Sequence, residues 1–322
     1  MNIYVHIGYP KAASSTLQKH FFQKHPGINY LGLYPTKNVG PNPIDIDQTA
    51  LFLTDDNLKR FYKEILSKAP DEYNHDYAAK LFVKGVKSNL SSTNVNLLSH
   101  EGFLASFFSY GDIKEKAERL KSFIPDAKII MIIRNQLDLI KSQYRDWPFD
   151  PRDVRKGKPV SLENWISLAI KYDQQIGFMS SLQFDRVAKL YEKLFGLDNI
   201  RILCMESLAK GSDEFAKEIS DFLEVDPNTT KELIKLKHEN RAVSSGTNFL
   251  RSWMRRIPRL KKVGGLIGQK TKKRLLSYIE KSNKTEYIRE ESLRTFSELY
   301  AKSNQQLASR LTLPLDKHNY LM

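Results

Sequence analysis

Chemistry concentrates first at residues 8–16, GYPKAASST, where Lys11 stands among small and hydroxylated side chains. Gly8 and Pro10 turn the chain, Ala12 and Ala13 keep the loop slim, and Ser14, Ser15 and Thr16 put hydroxyls at a helix start. Such a start offers N–H groups without intrahelical acceptors and the positive end of the helix dipole. With a lysine beside it, it makes a cradle for a phosphate or sulfate group. An ordinary strand-to-helix turn with a solvated lysine would carry the same string. The spacing is not that of the loop G-x-x-x-x-G-K-[ST], because no glycine directly precedes Lys11.

A second group of reactive residues follows the apolar run KIIMII at 128–133: Arg134, then Asn135 and Asp138 as a helix cap with an acidic first turn, then Ser142. Ser142 lies eight residues after Arg134, about two helical turns, which keeps the sheet-proximal face in register. An arginine at the end of a parallel strand faces the crevice where open α/β sheets bind ligands. A guanidinium with a hydroxyl suits a phosphate monoester. The bland alternatives are a surface ion pair for Arg134 and an incidental helix position for Ser142. A third pair, His100-Glu101, ends the run VNLLS at 95–99 and offers two bases. Here too a structural cap or ion pair is the alternative. His6, inside the first run, reads as a satisfied core group, and His20 and His25 lie on or after a helix.

These groups need strands that end beside one another. IYVHI after Met1, INYLGLY within 27–35, VNLLS, KIIMII and NIRILCM near 200 are the strand candidates. Helical patterns fill about 14–24, 48–68, 76–88, 112–123, 161–176, 184–195 and 213–223, with an exposed closing helix at 285–310. Residues 36–48 and the proline-rich 147–160 read as loops. Alternation of strands and helices predicts an α/β fold: a parallel central sheet flanked by helices, nucleotide-binding-like, with a helical C-terminal extension. The boundaries expected are an α/β domain at 1–240 and a basic helical extension at 241–322, packed on the same domain.

The 322 residues carry a formal charge of +14 and one cysteine, Cys204, which forbids an intrachain disulfide and a cysteine-based zinc site. Charge of that size favours nucleic acid, phospholipid, acidic glycan or a phosphorylated cofactor as partner. No apolar run reaches transmembrane length and no basic-then-apolar leader precedes the first strand, so a cytoplasmic protein is expected. Residues 241–274 hold eleven Lys or Arg and no acid, interleaved with Trp253 and other apolar side chains. That pattern suits an anionic membrane surface, an acidic glycan, cofactor contact, or a solvated basic face.

The string from Pro10 to Gln18 resembles the 5′-phosphosulfate loop, roughly P-K-[TS]-G-[TS]-[TS], of sulfotransferases that use 3′-phosphoadenosine 5′-phosphosulfate (PAPS). Lys11, Ser14 and Ser15 fit; Ala12 and Ala13 replace a hydroxyl residue and the usual glycine. Arg134, Asn135, Asp138 and Ser142 resemble the family's R-[ND]-x-x-[DE]-x-x-x-S stretch for the cofactor's 3′-phosphate. The two motifs stand in the family's order, and the likeness in layout spans about residues 1–225. The resemblance implies that Lys11, Ala12, Ala13, Ser14, Ser15, Thr16, Arg134 and Ser142 bind PAPS and that Lys11, with His100 or Glu101, is catalytic. It implies no metal, and a hydroxyl of a carbohydrate or lipid-linked acceptor, with no nucleic acid partner. Adenine stacking has no assigned residue; Tyr191, Trp165 and Trp147 are candidates. The rival readings are a P-loop kinase of a small metabolite, and a non-enzymatic basic module for membrane or nucleic acid.

Overall fold

The computed structural model describes residues 2–32, 34–35, 51–52, 55–106, 112–152, 160–210, 213–235 and 287–322. The basic stretch 241–274 and its proposed partners therefore lie outside the described residues. Five parallel strands form the central sheet: β1 (Ile3–His6), β2 (Ile28–Gly32), β3 (Val95–Ser99), β4 (Lys128–Ile133) and β5 (Ile200–Cys204). Their order is β2-β3-β1-β4-β5, with Val5 opposite Leu98 on one side and Ile129 on the other. A two-residue ladder, Tyr34–Pro35 with Leu51–Phe52, stands apart.

β4 is buried from Ile129 to Ile133, which explains its unbroken apolar sequence: a central parallel strand has no solvent face. Leaving aside three helices of four or five residues between 173 and 209, the helices among the described residues are α1 (Ser14–Leu17, running on as a π-turn over Gln18–Phe22), α2 (Asp56–Ser67), α3 (His75–Gly85), α4 (Ile113–Phe123), α5 (Gln136–Asp146), α6 (Leu162–Lys171), α7 (Phe184–Phe195), α8 (Asp213–Leu223), α9 (Pro227–Lys235) and α10 (Glu290–Leu311). Tyr4 and His6 share one face of β1 by the two-residue period, and meet Phe222 and Phe22. Hence α1 and α8 cover that face.

The closing helix differs from the exposed element expected. Phe296, Tyr300, Asn304 and Leu307 recur at three or four residues and are buried. Gln136 donates to Asn304, and Arg310 clamps Asp185 and Glu192 of α7. The polar spacing of its other face dominates the sequence and hides this stripe.

The connection leaving β1 runs to one side of it, towards β2, while that leaving β4 runs the other way, to β5. That divergence opens a crevice at the C-terminal ends of β1 and β4. Lys11 and Arg134 follow those two ends.

Candidate active site

The loop after β1 is held by its own turn and by the sheet: Tyr9 N–H donates to Ile132, and Ala12 N–H to Tyr9. Tyr9 also donates its hydroxyl to the Ser181 carbonyl at 2.6 Å. Lys11 and Ala13 both take left-handed backbone angles, with φ of 70° and 62°. Left-handed residues alternating with others turn successive N–H groups to one side, the geometry of an anion nest. The N–H groups of Lys11, Ala13, Ser14 and Ser15 meet no acceptor among the described residues. Ala13 occupies the position where the resembling motif has glycine, and its φ is the reason glycine suits it.

Around the nest, two buried polar atoms have no partner among the described residues: Ser14 Oγ and His6 Nε2. A Cβ placed on Gly8 would stand 2.7 Å from His6 Nε2 and 2.9 Å from Ser14 Oγ, so the missing side chain keeps this floor open. Free N–H groups, unpartnered buried atoms and a lysine together fit a tetrahedral oxyanion.

Lys11 Nζ pairs with Asp146 Oδ2 at 2.7 Å, with its side chain 32% exposed. Burial pulls the ammonium pKa down, but Asp146 and, further off, Glu101 outweigh it and hold it above the ordinary lysine value. Asp138, Ser142 and Asp146 recur every four residues on one side of α5, so the Lys11–Asp146 contact places half-buried Ser142 one turn from the loop.

Arg134 Nη1 donates to the Lys11 carbonyl at 2.9 Å, tying the end of β4 to the nest. Burial lowers its pKa, against the opposing pull of Asp138 and Glu206, and it stays a cation. No carboxylate among the described residues forms an ion pair with it, so its remaining donors are available to a ligand. Asn135 caps α5 by accepting from Leu137 N–H at 3.0 Å. Its own N–H donates to Glu206 at 2.8 Å, and Tyr320 braces Glu206 at 3.0 Å.

At the end of β3, His100 Nδ1 accepts from Gly102 N–H at 2.9 Å and caps the short 3₁₀ turn Glu101–Phe103. Burial and the Lys116 ammonium push its pKa down to about 3. With Nδ1 taken, the neutral ring carries its proton on Nε2. Burial raises the Glu101 pKa, Lys11 lowers it and Asp146 raises it, leaving it above the usual carboxylate range. Glu101 thus lies within the field of the Lys11–Asp146 pair. Buried Lys116 holds the turn from below, donating to the Gly102 carbonyl at 2.8 Å and to that of Ala105.

All three groups singled out in the sequence come to one sheet edge. The residues that brace them were not legible: Asp146, Glu206, Tyr320 and Lys116. Asp146 alone left a trace, through its four-residue spacing from Ser142. Of the adenine candidates, Trp165 and Tyr191 are wholly buried in the core and cannot meet a ligand ring, while Trp147 is half-buried against Phe149. Among the described residues no cluster of His, Cys, Asp or Glu is arranged to hold a metal, and no helix is long and apolar enough to cross a membrane. A cavity of about 530 Å³ is lined in part by Ser106, Arg152, Gln175, Ser180 and Ser181, and its link to the loop is Ser181, whose carbonyl accepts from the Tyr9 hydroxyl.

No protein-family model matches the chain, and no curated protein matches it. Solved structures do. A sulfotransferase from Alicyclobacillus acidocaldarius is 17% identical, with a TM-score of 0.45 over 82% of this chain and 95% of that one. The sulfotransferase domain of a Synechococcus olefin synthase is 16% identical, at 0.38 over 79% and 94%. A mouse sulfotransferase crystallised with PAP is 14% identical, at 0.39 over 88% and 89%. At such values the chain's own geometry has to carry any functional reading.

Proposed function

We propose that the chain is a PAPS-dependent sulfotransferase acting on a hydroxyl of a carbohydrate or lipid-linked acceptor. The observation that carries this is the join between the two anion-binding places: a nest with Lys11 at the end of β1, and at the end of β4 an arginine whose guanidinium donates to the Lys11 carbonyl at 2.9 Å. One nucleotide with phosphate-type groups at both its 5′ and 3′ positions would engage both. PAPS supplies the transferable sulfuryl group. The nest, Ser14, Ser15 and Thr16 hold the 5′ end; Arg134 and Ser142 hold the 3′-phosphate. Lys11 faces the leaving oxygen, exchanging Asp146 for the developing charge.

Glu101 serves as base in this account. It is a desolvated carboxylate near Lys11, whereas His100 spends its free lone pair on the Gly102 cap. The cavity linked to the loop through Ser181 offers hydroxyl, amide and guanidinium groups, which suits a polar acceptor. The basic stretch 241–274 supports, from sequence alone, a peripheral position at an anionic membrane; co-sedimentation with anionic vesicles at low salt tests that role.

A second reading rests on one observation: β3, beside β1, ends in an acid. A kinase would use such a residue near the loop to hold Mg²⁺. Thermal shift separates the accounts. Adenosine 3′,5′-bisphosphate should stabilise the protein in EDTA, with ATP and Mg²⁺ less effective and a DNA oligomer without effect. Stabilisation by ATP and Mg²⁺ alone would favour the kinase; stabilisation by DNA alone would favour the basic module.

A further inference from the structure

His6 has no exposed surface, yet only one of its ring nitrogens is engaged. Nδ1 lies 2.8 Å from Ser99 Oγ, and Gln18 Nε2 donates into that same oxygen at 3.0 Å. A hydroxyl has one proton, and buried Ser99 has no other acceptor for it among the described residues than His6 Nδ1. The chain of donors therefore runs Gln18 to Ser99 to His6, which puts the imidazole proton on Nε2. Burial pushes the ring's pKa down to about 3, so it stays neutral through the physiological range. Phe22 packs on the ring at 5.2 Å between centroids and fixes its plane. The result is an oriented N–H donor without an acceptor, deep under the loop.

Its direction is marked by Gly8. The position of a Gly8 Cβ is 2.7 Å from His6 Nε2 and 2.9 Å from Ser14 Oγ, and neither atom has a partner. Two orphaned polar groups converge on Gly8, where the chain omits a side chain just before the loop whose N–H groups meet no acceptor among the described residues. A buried donor left unpaired is costly, so such a pair is expected where a ligand completes it.

We propose that His6 is a ligand-binding residue: its Nε2–H, with Ser14 Oγ, forms the floor of the cradle and donates to a tetrahedral oxyanion seated in the loop. Ser99 and Gln18 are positioning residues that set its tautomer. The inference rests on the reading of the loop as the 5′ anion site, and it adds a neutral donor to the charged Lys11. A donor that does not titrate near neutrality stays available from about pH 5 to 8.

The test uses the full-length protein with ¹⁵N-labelled histidine. Titration with inorganic sulfate should move the His6 Nε2–H resonance while Nδ1 keeps its acceptor signature. An unmoved resonance at saturation would overturn the proposal whatever nucleotide the protein prefers. Calorimetry supplies the second arm. His6→Leu should weaken adenosine 5′-phosphate and adenosine 3′,5′-bisphosphate about tenfold or more, and leave adenosine 3′-phosphate unchanged. Wild-type affinity for all three ligands in a folded His6→Leu protein would also overturn it. Should that variant not fold, Ser14→Ala reads the same floor and should show the same pattern. Failure of every nucleotide to bind wild-type protein, with the sulfate shift intact, would refute the PAPS reading and leave the floor assignment standing.

Discussion

The turns that follow β1 and β4 stand side by side at one sheet edge and are built on opposite terms. After β4 the polar groups of Asn135 are satisfied: its side chain caps α5, its N–H is held by Glu206, and its amide donates to Asn319. After β1 the chain accepts two left-handed non-glycine residues, four free N–H groups and two unpartnered buried side-chain atoms. Strain and unmet hydrogen bonds persist only where the surroundings enforce them, and they gather at functional sites. The β4 turn is a brace that aims one arginine; the β1 turn leaves its donors turned to one side, as a receptacle for an anion would. The difference supports the proposed ligand position better than either motif does.

Changes to the reacting groups should break this contrast most severely. Glu101→Gln is expected to lower kcat by about 10²–10⁴, the range for a lost general base. In the wild type, activity should rise with pH through a pKa above the ordinary carboxylate value of about 4.3. His100, pushed down to about 3, should contribute no limb near 6.5. His100→Asn, which keeps a capping acceptor, should retain that profile. Stability should move the other way. A carboxyl raised on folding favours the native state below its unfolded pKa, and that contribution is lost as pH rises through the folded value. Glu101→Gln should therefore raise Tm at pH 7 and leave it unchanged at pH 3.

Lys11→Ala comes next, with kcat down about 10²–10³. It releases Asp146 to solvent, so little stability should be lost with it: the pair is partly exposed, and such pairs contribute about 0–1 kcal/mol. Lys116→Met probes the support beneath Glu101. It leaves the carbonyls of Gly102 and Ala105 without their donor, at a cost of about 1–3 kcal/mol in chemical denaturation. Ala13→Gly sharpens the contrast from the other side. It relieves a left-handed alanine and should stabilise the free protein by about 1 kcal/mol, read from the denaturation midpoint.

Strands, helices and the three reactive groups were legible because each is written locally. VNLLS and KIIMII are apolar runs of strand length, and Arg134, Asn135 and Ser142 keep one helical register. What escaped is long-range. Glu206 reaches Asn135, and Tyr320 reaches Glu206, from beyond the strand and helix that Asn135 joins, and no spacing announces that. His6 was half right: Ser99 satisfies Nδ1 as a core residue would, while Nε2 remains without a partner. The αL angle at Ala13 is invisible in an alanine, since only glycine advertises such a conformation. Trp165 and Tyr191 illustrate the converse, because aromatic identity says nothing about whether the ring faces a ligand or the core.

The central claim is that the ends of β1 and β4 bind the two anionic ends of one nucleotide. Calorimetric titration in EDTA tests it most directly, with adenosine 3′,5′-bisphosphate and adenosine 5′-phosphate against wild type and Arg134→Ala. The account predicts that the variant loses about 2–5 kcal/mol for the bisphosphate, as for truncating one partner of a buried charge pair. For the 5′-phosphate it predicts a much smaller loss, from the freed Lys11 carbonyl alone. Equal losses for both ligands, or no loss for either, would contradict it.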